Sequence, residues 1–344
     1  MRFSASAFLS QALEDPVLGL TAALVLAVIL VNGWTDAPNA IATVVTTGVL
    51  SFRRAVALAA VCNVLGVCCT TALGATVAET LYSIADFGGD RRGALSALCA
   101  ALCAIVVWAV LAWRFGVPTS ESHALVAGVT GAALSMPGGL SNVRPEAWGR
   151  VLLGLVLSVG LGYGAGRLCA QALRRSRRGS AFFRRAQVAG AAAMAFLHGA
   201  QDGQKFAGVF VLGCALAAGG GRLGEEFSVP GWLMLLCAAV MALGTLIGGR
   251  RIVDTVGRGL GGLSPREGFA ADLGGAACLT LCTLLGLPVS TTHAKTAAIL
   301  GVGSAFGQTD GRRVGREIVL TWMLTFPGCG LMGFFLSRLF RMAG

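Results

Sequence analysis

Two carboxylates and two clusters of hydroxyls recur, in the same order, along this 344-residue chain. Asp36 sits in Gly33-Trp-Thr-Asp-Ala-Pro-Asn39 and Asp202 in Gly199-Ala-Gln-Asp-Gly-Gln204, an offset of 166 residues. Pro118 lies in Val117-Pro-Thr-Ser-Glu-Ser-His123 and Pro288 in Leu287-Pro-Val-Ser-Thr-Thr-His293, an offset of 170. A proline interrupts a helix, and the hydroxyl residues after it can cap a new one. A restarted helix presents unpaired N–H groups and the positive end of its dipole. Two such ends facing each other would hold a small oxyanion, with Ser120, Ser122, Ser290, Thr291 and Thr292 as further donors.

The carboxylates call for a cation. Asp36 and Asp202 would repel an anion unless a metal ion or a proton sits between them. Asp36 with Asn39, and Asp202 with Gln204, offer hard oxygen ligands beside interrupted backbone, a setting suited to sodium. The same carboxylates could carry protons instead, because burial penalises their charged form. They also favour phosphate over sulfate. A protonated phosphate oxygen can donate to a carboxylate; sulfate at neutral pH leaves that acceptor unpaired, at ~1–3 kcal/mol or more. All three histidines (His123, His198, His293) and both lysines (Lys205, Lys295) fall in or beside the four stretches. Ionisable residues within apolar sequence mark an ion or substrate path.

Two kinds of helix are needed to place these residues. The chain is 55% hydrophobic and 12% charged, with a mean hydropathy of +0.75, well outside ordinary globular usage. Segments 55–78, 93–113, 227–249 and 318–337 reach the ~20 apolar residues that a bilayer crossing requires. Segments 37–52, 206–221 and 296–309 are shorter and begin directly after Asp36, Lys205 and Lys295. They read as half-helices or re-entrant pieces, tolerated where their free backbone groups line a polar cavity. Fifty glycines fit close helix packing.

The charge of +11 comes from 25 arginines and two lysines against 16 acids. Its densest cluster is Arg174, Arg175, Arg177, Arg178, Arg184 and Arg185, which the positive-inside rule places in the cytoplasm. The expected division is a first transmembrane repeat over 1–173, an arginine-rich linker over 174–185 and a second repeat over 186–344. An odd number of crossings in each would invert one repeat relative to the other. Basic residues at membrane-edge loops argue against nucleic acid as a partner. Met1 to Asp15 lacks the basic start, apolar core and cleavage site of a signal peptide. The eleven cysteines make no CxxC pair or metal spacing and read as small buried hydrophobes.

These motif pairs resemble those of the inorganic phosphate transporter (PiT) family, whose halves carry a GANDVANA-like motif and a proline followed by hydroxyl residues and histidine. The resemblance spans both halves. It is strong for Leu287-Pro-Val-Ser-Thr-Thr-His293 and for His198-Gly-Ala-Gln-Asp-Gly-Gln-Lys205. It implies a sodium- or proton-coupled symporter with an inverted-repeat fold. By position it assigns Asp36, Asn39 and Asp202 to the coupling-ion and substrate site, and Ser120, Ser122, Ser290, Thr291 and Thr292 to phosphate. Three departures stand out. The family's first asparagine is Thr35 here and Gln201 in the second half, an alanine is replaced by Pro38, and a hydroxyl is replaced by Glu121. A third carboxylate near an anion is expected to be protonated, cation-paired or turned away. Asn63 and Asp272 are placed as supports around the site or as helix-packing residues.

The expectation is therefore an all-α polytopic membrane protein with two inverted-topology repeats. Their broken or re-entrant half-helices would meet near the bilayer midplane. It would import inorganic phosphate by symport with Na+ or H+, by alternating access, in a bacterial-type inner membrane. Asp36, Asn39 and Asp202 are the sodium candidates, with Gln204 and Glu121 added for cation coupling. No catalytic residue or cofactor is expected. The partners are phosphate, the coupling cation and the bilayer, with self-association into a homo-oligomer left open. A permease for sulfate or another oxyanion is the alternative of the same architecture. A membrane enzyme acting on lipid phosphates is the alternative of another class, and it lacks a nucleophile–base motif.

Overall fold

The computed structural model describes residues 4–87, 91–115, 119–218, 229–247, 249–250, 253–254, 262–307 and 311–343. Val117 and Pro118 of the first hydroxyl motif, and the ends of segments 206–221 and 227–249, lie outside these residues. The described elements, in chain order, are α1 (Ala5–Glu14), α2 (Pro16–Thr35), α3 (Ala37–Thr46), α4 (Phe52–Leu73), α5 (Thr76–Tyr82), α6 (Arg91–Phe115) and α7 (Glu121–Ser135). A short 3-10 turn follows, then α8 (Pro145–Arg174), α9 (Ser180–Ala217), α10 (Gly231–Ile247), α11 (Pro265–Leu284), α12 (Thr291–Phe306) and α13 (Gly311–Ala343). The architecture is that of an all-α polytopic membrane protein.

Local chemistry sets the helix starts. Asp15 accepts from the N–H groups of Val17 and Leu18 at 3.1 and 3.3 Å, with Pro16 in the first turn. Ser264 and Glu267 form a reciprocal capping box on α11. Ser290 accepts from His293 N at 3.2 Å to start α12. Among the described residues, five helical stretches are long and apolar enough to cross a membrane: Pro16–Thr46, Phe52–Thr70, Arg91–Phe115, Pro145–Arg174 and Val319–Met342. Their outer faces carry Leu65, Val107, Leu152, Leu324 and Phe335. The interior holds Asp36, Glu121, Asp202, Lys205, Asp272 and Lys295, each buried. That inversion of the soluble pattern is what a hydrocarbon surround imposes.

The short segments behave in two ways. With 15 and 16 residues, α7 and α12 are about 22–24 Å long at ~1.5 Å per residue. Both fall short of the ~30 Å hydrocarbon core, so 296–309 is the short helix expected. Segment 37–52 forms α3, separated from α2 only at Asp36. Segment 206–221 is a correction. Its described part continues α9, a 38-residue helix that runs through Asp202 without a break. The physical reason is Pro38. It denies the first half one backbone donor, and the second half has Gln204 at the matching position.

Packing across the linker is reciprocal. Helix α7 packs on α13 and α12 on α8; α4 packs on α9 and α10 on α2; α6 packs on α13 and α11 on α8. The contacts match residue for residue, at an offset of 170 from α7 to α12 and of 167 from α8 to α13. A Cβ at Gly301 would collide with Tyr163 O, and one at Gly131 with Gly330 O. Likewise Gly166 faces Ala298 O and Gly333 faces Gly128 O. Small residues let backbones approach this closely. Gly301→Ala should therefore lower stability by about 1–3 kcal/mol. Gly160→Ala, where a Cβ meets nothing within 4 Å, should be neutral or stabilising by up to ~1 kcal/mol. Thermal unfolding of the purified variants in detergent compares the two; equal losses would show that this backbone contact is not limiting.

Candidate functional site

The first turns of α7 and α12 meet. His123 and His293, each third in its helix, meet with ring centroids 4.8 Å apart and planes tilted by 42°, and Ser122 Oγ donates to Val289 O at 3.3 Å. The start of α12 touches Asp36 directly, and that of α7 reaches Asp202 through Lys205. Asp36 lies at the α2–α3 break, where its N–H reaches back to Asn32 O at 2.9 Å and its carbonyl accepts from Asn39 N at 3.0 Å. Thr292 donates to Asp36 Oδ1 in a short hydrogen bond, and Thr291 reaches Asp36 Oδ2 at 3.4 Å. Asn39 Nδ2 donates to both Asp36 Oδ1 and Thr292 Oγ1 at 2.9 Å.

Asp202 projects from the middle of α9. Lys205 Nζ donates to its Oδ1 at 2.6 Å and Asn32 Nδ2 to its Oδ2 at 3.0 Å. His198 Nδ1 lies 3.3 Å from Asp202 Oδ2 and 3.3 Å from Thr291 Oγ1. Ligand atoms of Asp36, His198 and Asp202 all fall within 4.8 Å of one another, fully enclosed. Two carboxylates this close in a buried site strongly favour a positive charge between them. Nearby polar atoms also await a partner: Ser120 Oγ, Glu121 Oε2, Asn32 Oδ1 and His198 Nε2 are buried with no hydrogen bond among the described residues. Orphaned donors and acceptors gathered beside facing helix starts fit a polar ligand.

Not every residue singled out from sequence reaches this centre. Asp36, Asn39, Asp202, Ser122, Thr291 and Thr292 are brought together. Ser290 is occupied in capping its own helix. Gln204 is a correction: its Oε1 accepts from Val77 N at 3.2 Å, at the start of α5. Two residues from Asp202 on a 3.6-residue helix, it points to the opposite side. Glu121 is not turned away. It is 2% exposed, with Oε1 3.1 Å from Thr35 Oγ1. Sequence reasoning gave no geometric role to Asn32, Thr35 or His198. Asn32 and His198 sit one helical turn before Asp36 and Asp202, the spacing that could have found them.

The sequence profile of the phosphate transporter family matches residues 32–181 and 167–333. The chain belongs to that family. A probable low-affinity inorganic phosphate transporter of Rhizobium meliloti is 37% identical over 315 residues, 88% of this chain and 90% of that protein. Another, of Mycobacterium bovis, is 34% identical over 320 residues, covering 91% and 75%. Among solved structures, a sodium-dependent phosphate transporter superposes with a TM-score of 0.84 over 95% of this chain and 100% of that one. At 21% identity, that likeness speaks to the fold.

This member of the family is thus a transporter and not an enzyme. It has a second buried polar cluster toward the arginine-rich end. Lys295 Nζ donates to Asp272 Oδ1 in a short contact and to Thr43 Oγ1 at 3.2 Å, and Thr43 donates to Asp272 Oδ1 at 2.7 Å. Asn39, Thr43 and Thr47 recur every four residues on α3, a polar stripe running from Asp36 toward Gly48, whose carbonyl accepts from Arg184 at 3.2 Å. Asp272 therefore pairs with Lys295 and does not touch Asp36. Breaking a buried pair strands a charge at about 3–5 kcal/mol. Asp272→Ala should cost that much in thermal stability, while Asp272→Leu combined with Lys295→Met should recover most of it. A double variant no better than the single one would refute the pairing account.

Proposed function

We propose that this transporter imports inorganic phosphate by symport with a cation, Na+ or H+, around the centre where α7 and α12 start. One observation carries the reading: Asp36 and Asp202, 166 residues apart and one in each half of the sequence, share one buried centre with two helix starts. Carboxylates repel an anion on their own, so a cation bound there makes the anion's entry favourable. The hydroxyls of Ser120, Ser122, Thr291 and Thr292, with the helix-start N–H groups, are the proposed phosphate donors, and Ser290 caps α12 behind them. Thr291 and Thr292 donate to Asp36 when the anion is absent, so phosphate exchanges places with the carboxylate as their acceptor.

The reciprocal pairing supports two repeats, 1–173 and 186–344, inverted about an axis through the His123–His293 contact. The 174–185 linker joins them. Arg184 and Arg266, bonded to Gly48 O and Arg178 O, gather at the linker's end of the molecule, and the positive-inside rule assigns that end to the cytoplasm. A proton-coupled variant of the reading has its own support. Thr35 Oγ1 lies 2.7 Å from Val31 O and 3.1 Å from Glu121 Oε1. One hydroxyl hydrogen serves only one of them, and a proton on Glu121 supplies the other bond.

The test is radiolabelled phosphate uptake into proteoliposomes under a sodium gradient and, separately, a proton gradient, each with excess sulfate. One gradient should drive uptake that sulfate leaves largely intact. Asp36→Asn should cut the driven uptake by about 10- to 100-fold, matching the ~1.5–3 kcal/mol of a charged hydrogen bond. Efficient competition by sulfate would move the substrate to another oxyanion. Where protons drive uptake, Glu121→Gln should flatten its pH dependence; an unchanged profile would remove Glu121 from the proton path.

A further inference from the structure

Lys205 breaks the equivalence of the two halves at one position. The offset of 166 that carries Asp36 to Asp202 carries Asn39 to Lys205, and the offset of 170 carries Ser122 to Thr292. The contacts follow the same mapping. Asn39 Nδ2 donates to Asp36 Oδ1 and Thr292 Oγ1, both at 2.9 Å. Lys205 Nζ donates to Asp202 Oδ1 at 2.6 Å and Ser122 Oγ at 2.7 Å. An amide in the first half is thus matched by an ammonium in the second, on equivalent partners.

The ammonium has a third acceptor, Val289 O at 2.5 Å. An ammonium carries three hydrogens and no lone pair, so its donors are all in use. Its surroundings are a carboxylate, a hydroxyl and a backbone carbonyl, a hard-oxygen set of the kind that also takes a small monovalent cation. Lys205 is 1% exposed, and burying an unpaired charge at this depth is costly. To hold phosphate, the ammonium would have to give up one of these three buried acceptors. Here every hydrogen points at the protein. The charge balance agrees: Asp36 and Asp202 bring two negative charges, and Lys205 offsets one permanently.

We propose that Lys205 is a tethered cation. Its ammonium fills the cation position beside Asp202 that mirrors the one beside Asp36, so the transporter carries one mobile cation fewer per phosphate than it would with asparagine at 205. This rests on the symport reading above. The covalent tether supplies the positive charge in every conformation, whatever the ion gradient, and leaves Asp36 with Asn39 and Thr292 as the side that loads and empties.

The experiment compares wild type with Lys205→Asn, the residue of the matching position, in proteoliposomes. The coupling ion is whichever of Na+ or H+ drives the wild type. The membrane potential at which net radiolabelled phosphate flux reverses is measured as that ion's gradient is varied. Lys205→Asn should move one more positive charge per phosphate and raise the Hill coefficient for the ion by about one. An active variant with unchanged charge and Hill coefficient overturns the inference. A variant that binds but does not transport is read in detergent, where titrating the same ion should raise the melting temperature of Lys205→Asn more steeply than that of wild type. Equal slopes again overturn it. Wild type that moves no phosphate under either gradient sinks the symport reading itself, whereas an active wild type with an unaltered variant sinks only the tether.

Discussion

Charge compensation inside a low-dielectric interior governs this molecule. Asp36 and Asp202 are held close enough to share a cation, in a centre from which lipid and bulk water are excluded. Every element around them either neutralises that charge or holds the neutralising group in place. The start of α12 lies against Asp36, Asn32 and Asn39 donate to the carboxylates, and Lys205 bridges Asp202 to the start of α7. Two buried anions cannot stay together without positive charge nearby, so any cation bound there would favour the entry of an anion by electrostatics alone.

The two halves reach this arrangement by different local means. Pro38 interrupts the first half, so Asp36 sits at a break and reaches the start of α12 through Thr291 and Thr292. The second half keeps α9 continuous, and glycines at 199 and 203 let α4 approach Asp202 through Asn63 and Val67. A broken helix can change its angle at the break more readily than a continuous one. Asymmetry in backbone and asymmetry in charge therefore fall on the same side: Lys205 with the rigid half, the open position with the interrupted one.

Much of this was legible in the sequence because it was written twice. The repeated Asp and the repeated hydroxyl clusters named Asp36, Asp202, Ser122, Thr291 and Thr292 before any coordinates, and apolar segment lengths separated α12 from the true crossings. What stayed hidden depends on angle and partner choice. Gln204 is adjacent in sequence to the site yet faces α5, because helical rotation outweighs proximity along the chain. The continuity of α9 was hidden because Lys205 cuts an otherwise apolar run, and a paired lysine does not break a helix. Asn32 lies outside the repeated motifs, and His198 opens one of them without any partner being evident from sequence. Their roles appear only once α2 and α9 cross at Asp202.

The reciprocal packing has an evolutionary and mechanical consequence. Each short helix lies in a groove built by the other half: α7 against α13, α12 against α8. A fragment ending at the linker would expose both a half-helix without its groove and a groove without its half-helix. If the two halves arose by duplication, a single-repeat ancestor would have satisfied these contacts only as a dimer of arm-exchanging copies. The linker therefore does not divide the molecule into two separately packed units, because helices on either side of it hold one another in place.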